Sequence, residues 1–137
     1  MKYNIVLISI IYNEAKEILL IRRWRDPEQG KWSLPGGIGA LETQSDPIVA
    51  VADEVRGEFG VEYINYNLLT IKYIKKTEPT ICLYFYGMIR GIPQFNNKDA
   101  TQEFKWFAID NVIDTEIAFE DKDKEVIKLF KKQILSK

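Results

Sequence analysis

The chain has 137 residues, carries 19 Lys and Arg against 20 Asp and Glu for a formal net charge of −1, and is 46% hydrophobic. That length suits one domain with a real core and no disulfide staples. The balanced charge gives no global pull toward duplex nucleic acid or an anionic membrane, and no stretch approaches the ~20 apolar residues of a membrane span.

Histidine is absent, which removes Ser-His-Asp and Cys-His catalysis together with His-based zinc sites. The one cysteine, Cys82, lies in the apolar run 81–86 and reads as a buried strand residue rather than a nucleophile. A single cysteine forms no internal disulfide, which fits a reducing compartment. The apolar stretch 5–12 is too short for a secretion signal and has no cleavage pattern, so the expected location is the cytoplasm. Any catalysis must use carboxylates, metal, lysine, arginine or backbone groups.

In chain order, residues 3–12 are β-branched and aliphatic, Asn13-Glu14-Ala15-Lys16 turns the chain, and 17–23 resumes it. This predicts a hairpin with a buried face. Asp26-Pro27 and Gly30 mark 24–31 as a loop, and Trp32-Ser33-Leu34 is a short extended piece ending at Pro35-Gly36-Gly37. A glycine- and polar-rich connection then runs to about Ser45.

A helix starts at Asp46-Pro47, where Asp46 caps the free N–H groups and Pro47 lacks a donor that position does not need. Ile48, Ala52, Val55 and Phe59 form its apolar stripe, and Gly60 ends it. Strands are predicted over 67–75 and Thr80–Arg90, separated by Glu78-Pro79; the second is apolar on both faces, as a central strand is. A polar loop fills 91–101, a strand follows over 103–109, and a helix closes the chain over 121–135 with Val126, Ile127, Phe130 and Ile134 inward. The class is α/β (α+β): a mixed sheet with a helix on each side.

The chemically informative stretch is 34–61, LPGGIGALETQSDPIVAVADEVRGEFGV. Glu54 and Glu58 stand four apart, so their Cβ atoms share a helical face about 6 Å apart. Their mutual repulsion would reverse sign around a divalent cation. Glycines at 36, 37 and 39 let the backbone approach such an ion or a phosphate. Oxygen ligands alone favour Mg2+ or Mn2+ over zinc. Each part also has an ordinary explanation: glutamates at this spacing form solvated faces, and Pro-Gly-Gly forms turns. The residues by themselves leave a metal–phosphate site and no site evenly balanced.

Residues 18–61 resemble the Nudix hydrolases, whose signature is a glycine, five residues, Glu, seven residues, then Arg-Glu-aliphatic-x-Glu-Glu-x-Gly-aliphatic. The preceding LLIRRWRDPEQGKWSLPGG is similar to the family's strand and loop leading into that box, and the later EFKWFAIDNV to its Trp-bearing strand. The resemblance implies a Nudix-type α/β/α sandwich with a mixed central sheet, holding magnesium on helix glutamates and a glycine carbonyl. Carried onto this chain, Glu54 and Glu58 are the catalytic pair and metal ligands, Gly37 is the carbonyl donor, and Glu103 is an additional acidic ligand. An ordinary surface position explains Glu103 as well.

The box departs from the pattern at Asp53, where the family has arginine, and at Gly57, where it has the middle glutamate. Its spacing departs too: with Gly36 and Glu42 opening the box, three extra residues precede the helix, whereas with Gly39 opening it the spacing is right but Ser45 takes the glutamate position. Leu34-Pro35-Gly36-Gly37 is the stronger anchor and favours the first. Glu42 facing Asp53 would repel it unless Arg56 or a metal intervenes. Arg23 and Arg25 alternate onto one side of their strand and suit phosphate oxygens, though ordinary surface arginines explain them equally. Trp32 could stack on a base, and packing of the loop explains it better.

The resemblance implies a metal-dependent hydrolase of a nucleoside diphosphate linked to another moiety, with a small-molecule nucleotide as partner. The alternative is a catalytically inactive Nudix-fold domain that binds a nucleotide or protein and regulates. A homodimer is the family-level expectation.

Overall fold

One strand with apolar side chains on both faces organises the molecule. In the computed structural model, which describes residues 2–75, 77–95 and 103–136, β1 (Asn4–Ile11) buries Leu7 and Ile11 in one hydrophobic cluster and Ile8 and Ile10 in another. Such a strand must be covered above and below. It therefore sits inside a four-stranded sheet of order β4-β1-β6-β5.

β6 (Thr80–Arg90) runs parallel to β1 from Asn4 opposite Thr80 to Ile11 opposite Gly87, while β5 (Glu62–Ile74) runs antiparallel to β6. The central place expected for Thr80–Arg90 is the place it takes, with Cys82, Tyr84 and Phe85 all buried. A second sheet has the order β3-β2-β7, from β2 (Glu17–Arg22), β3 (Trp32–Ser33) and β7 (Glu103–Ala108). Helix α1 (Pro47–Phe59) packs on the Leu7 side, and α3 (Glu120–Phe130) on the Ile8 side. The sheet is mixed and flanked by helices, as expected.

The predicted hairpin between 3–12 and 17–23 does not form as a ladder. The two strands join different sheets and share only the bridge between Tyr12 and Ile18. Both are too apolar to leave a face in water: Ile18, Leu19 and Leu20 are as buried as Leu7 and Ile10. Each finds its neighbours elsewhere, and the Asn13 side chain holds the turn by accepting from Ala15 N and Glu17 N.

The connection after Pro35 contains a strand, β4 (Gly36–Ile38), that propensity hides. A Cβ at Gly36 would stand 2.8 Å from Leu7 O, so only glycine lets the chain lie this close to β1. β5 begins five residues earlier than 67, because register shifts between Ile64 and Asn67 break the alternation. The short helix α2 (Ile109–Ile113) and the π-helical turn Lys131–Leu135 after α3 were not expected. Part of the predicted loop 91–101 lies outside the described residues.

Helix α1 follows its local signals. Asp46 accepts from Ile48 N at 2.9 Å, Pro47 occupies the first turn, and Gly60 closes the helix with φ 70. Its buried face is Ala50, Val51, Val55 and Phe59, whereas Ile48 from the expected stripe is 48% exposed.

Two glycines test this architecture in opposite directions. Gly36→Ala should lower unfolding free energy by about 1–3 kcal/mol, because its Cβ must displace β1 backbone. Gly57→Ala, in mid-helix with nothing described within 4 Å of the new Cβ, should raise it by about 0.5–1 kcal/mol. Urea denaturation of both variants reads the two signs.

Candidate functional site

Val55 and Phe59 are buried between α1 and the sheet, and they bring their neighbours Glu54 and Glu58 half inside with them. With Ser9 of β1 and the Pro35-Gly36-Gly37 turn, these glutamates line a cavity of about 190 Å³. A Cβ built on Gly37 would stand 3.7 Å from Glu54 Oε1, so the open side of the glycine turn and the carboxylate share one space. Among the described residues neither glutamate has an ion-pair partner.

Burial without a counter-charge has a definite electrostatic result. Glu54 is pushed from 4.5 up to about 7, first by burial and then by the charge of Glu58. Burial raises Glu58 as well. A carboxyl group near neutrality is a proton acceptor of suitable strength for neutral-pH chemistry. Two such groups facing one cavity also form a site where a cation relieves both burial and repulsion.

Among the described residues no three Asp, Glu, His or Cys side chains converge as a ready-made metal cage. Two carboxylates are nonetheless a sufficient protein share for Mg2+, which keeps several waters and takes the remaining ligands from a phosphate. The residues present fit such an ion. A larger cavity of about 320 Å³ near Lys16 and Asp110 does not, because its carboxylate is already paired with Lys131.

The altered box positions are exposed. Asp53 pairs with Arg56 at 3.3 Å on the exposed side of α1, so Arg56 compensates it. Glu42 lies beside Gly39, where an added Cβ would be 3.6 Å from its carboxylate. At Gly57 nothing among the described residues lies within 4 Å of an added Cβ.

The structure brings Gly37, Glu54 and Glu58 together and places the other expected site residues elsewhere. Glu103 stands opposite Arg22 in the β2–β7 ladder, 3.4 Å from its guanidinium and exposed. Arg23 Nε donates to Pro27 O at 2.6 Å, and its guanidinium lies 4.8 Å from the Phe119 ring centroid. Burial and neighbouring Arg25 hold its pKa below the usual arginine value. Arg25 lies over the Trp24 ring at 5.1 Å. Trp32 packs edge-on against Phe107, 5.0 Å between centroids, on the α3 side. None of these four lines the cavity of Glu54 and Glu58.

Ser9 was missed by sequence reasoning. Its signal was one hydroxyl in the run Ile8-Ser9-Ile10, and that side chain also hydrogen-bonds with the buried Tyr63 side chain.

The NUDIX domain family model matches residues 2–130. The chain belongs to the Nudix family. Its fold is shared by the MutT protein of Methanosarcina mazei Go1, at TM-score 0.77 and 24% identity, covering 96% of this chain and 95% of that one. The MutT NUDIX hydrolase of Burkholderia pseudomallei superposes at TM-score 0.72 and 22% identity, covering 94% and 98%. The NUDIX domain of Shewanella oneidensis NrtR, solved with ADP ribose, reaches TM-score 0.80 at 15% identity, covering 98% and 90%. No curated protein sequence matches this Nudix chain.

The raised pKa of Glu54 sets a pH signature for the metal-free protein. A carboxyl that titrates higher when folded stabilises fully below its unfolded value of 4.5, and that contribution is lost as pH rises through about 7. Discounted for partial exposure, the loss is about 1–2 kcal/mol. In the presence of a chelator, Glu54→Gln should be more stable than the parent at pH 8, with the difference shrinking toward pH 4. Thermal unfolding across that range would expose a solvated Glu54 as a difference that does not change.

Proposed function

We propose that this Nudix chain is a Mg2+- or Mn2+-dependent pyrophosphohydrolase acting on a nucleoside diphosphate linked to another moiety. The observation that carries the reading is one cavity lined by two half-buried carboxylates, with no ion-pair partner among the described residues, beside a glycine turn. In this reading Glu54 accepts the proton of the attacking water, with Glu58 and backbone at Gly37 holding the metal. The bound ion would neutralise the glutamate pair and polarise a phosphoryl oxygen. Gly36 and Gly37 leave room for phosphate to lie against backbone.

The substrate class draws support from the NrtR domain, whose bound ADP ribose is a nucleoside diphosphate linked to a sugar. Arg23 and Arg25 keep guanidinium N–H donors beyond their contacts with Pro27, Phe119 and Trp24, so they could reach a phosphate that extends out of the cavity, whereas Trp32 is held against Phe107. For Glu103 to join the metal it would have to leave Arg22. Among the described residues no helix is long and apolar enough to cross a membrane. The proposed setting is the cytoplasm, with the chain acting as one Nudix domain on a small molecule rather than on duplex nucleic acid.

Gly57 favours a second reading: a domain that binds a nucleotide or protein without turnover and regulates. The missing carboxylate leaves the metal with a thinner shell, and that weakens both affinity and activation of bound water.

A panel of dinucleotides, sugar nucleotides and triphosphates with Mg2+ or Mn2+ decides between them. The hydrolase reading expects metal-dependent turnover that falls roughly 100-fold or more in Glu54→Gln and Glu58→Gln. Turnover without added metal, or unchanged in Glu58→Gln, would sink the mechanism. Silence across the panel with ligand still raising the melting temperature supports the regulator. Gly57→Glu, which restores a carboxylate beside Glu58, should lower the Mg2+ concentration needed for half-maximal thermal stabilisation.

A further inference from the structure

Ser9 lines the cavity of Glu54 and Glu58, and it is held from two sides. Its N–H donates to Pro35 O at 2.9 Å, which ties β1 to the wall that carries Gly36 and Gly37. Leu7, Ser9 and Ile11 alternate onto the face of β1 that meets α1, so the hydroxyl turns toward the helix that brings the two glutamates. Its partner there is the side chain of Tyr63.

Tyr63 decides which way that hydrogen bond runs. Its own proton goes to Ile10 O, at 3.0 Å. A phenol has only one, so Ser9 Oγ donates to Tyr63 Oη. Burial holds the Tyr63 hydroxyl well above its ordinary pKa, and it keeps that proton at neutral pH. The one donor of Ser9 is therefore engaged, and what it offers the cavity is lone pairs.

The fold makes room for this bond at some cost. Tyr63 lies on β5, and β6 stands between it and β1. Its ring crosses Gly87 of β6, where an added Cβ would be 2.8 Å from Tyr63 Cε1 and 2.6 Å from Tyr66 Cβ. A register shift between Ile64 and Asn67, with Asn65 at φ 50, turns Tyr66 onto the same face. There the two rings stack with centroids 4.9 Å apart and planes at 8°. A glycine inside a central strand weakens it. An apolar pair at positions 9 and 63 would fill the layer and leave no polar group to satisfy.

An acceptor-only group sorts what can approach it. The oxygens of a diphosphate carry no hydrogen and are repelled, whereas water has two hydrogens to donate. We propose that Ser9 is a positioning residue for the hydrolytic water: its Oγ accepts one hydrogen of that water and leaves the other directed at Glu54. The proposal rests on the hydrolase reading of this cavity. The water oxygen forms the new bond to phosphorus, and the hydrogen directed at Glu54 passes to its carboxylate. The bridging P–O bond breaks with its electron pair on the departing phosphate. Ser9 exchanges no proton.

Steady-state kinetics on a nucleotide that the parent turns over, with Mg2+ titrated, test it. Ser9→Ala should lower kcat about 10- to 100-fold, while KM and the Mg2+ concentration for half-maximal rate stay within about twofold. Ser9→Thr, which keeps the acceptor, should recover most of the loss. Tyr63→Phe frees the Ser9 proton to turn into the cavity. It should lower kcat about fivefold in the parent and not at all in the Ser9→Ala background. Circular dichroism checks folding, and should Ser9→Thr misfold, the Ser9–Tyr63 cycle decides alone. An active parent whose kcat is unchanged in Ser9→Ala overturns the proposal and leaves the hydrolase reading standing. So does a raised Mg2+ requirement with kcat restored at saturation, which would make Ser9 a metal ligand, and so do equal effects of Tyr63→Phe in both backgrounds. A parent silent across the nucleotide panel overturns the hydrolase reading, and the proposal with it.

Discussion

The docking of α1 onto β1 is the interaction on which the site depends. Val51, Val55 and Phe59 are essentially removed from water, and each contributes roughly 1.5–3 kcal/mol. That gain outweighs the about 1–2 kcal/mol lost by holding Glu54 half-buried and ionised above neutrality. The helix thus presses two carboxylates against a glycine turn where water alone would not keep them. The local electrostatic strain is what a cation entering the cavity would release.

The opposite layer shows how a buried carboxylate is treated when it is structural. Asp123, 2% exposed, accepts from Tyr84 Oη at 2.6 Å and from the Lys122 ammonium at 2.7 Å. Burial and the neighbouring Asp123 hold the Tyr84 hydroxyl far above its ordinary value, so it remains a donor. Every charge in that network is answered within the protein. Glu54 and Glu58 have no such answer among the described residues, and this contrast separates a site from a strut. The altered box positions spare that asymmetry: Asp53 is satisfied by Arg56, and Gly57 adds no positive charge near the pair.

Local chemistry was legible in the sequence. The Asp46-Pro47 start and Gly60 stop of α1 depend on residues within one turn of each other, and they fall where capping physics puts them. The two-faced apolarity of Thr80–Arg90 announced a central strand, and the i,i+4 spacing placed Glu54 and Glu58 on one face. The resemblance over 18–61 then pointed to the Nudix family despite the changes at Asp53 and Gly57.

Only tertiary structure decided the rest, because it turns on partners far apart in the chain. β1 chooses β6, some 76 positions away (Asn4 opposite Thr80), over its neighbour β2, since both strands need cover on two faces. Gly36 becomes a strand residue because Leu7 O leaves no room for a side chain. Arg23, Arg25 and Trp32 carry the composition of a phosphate- or base-binding loop, yet Pro27, Phe119, Trp24 and Phe107 engage them. The sequence by itself determined which residues can carry charge to the site; packing against β1 determined which are held there with no ion-pair partner among the described residues.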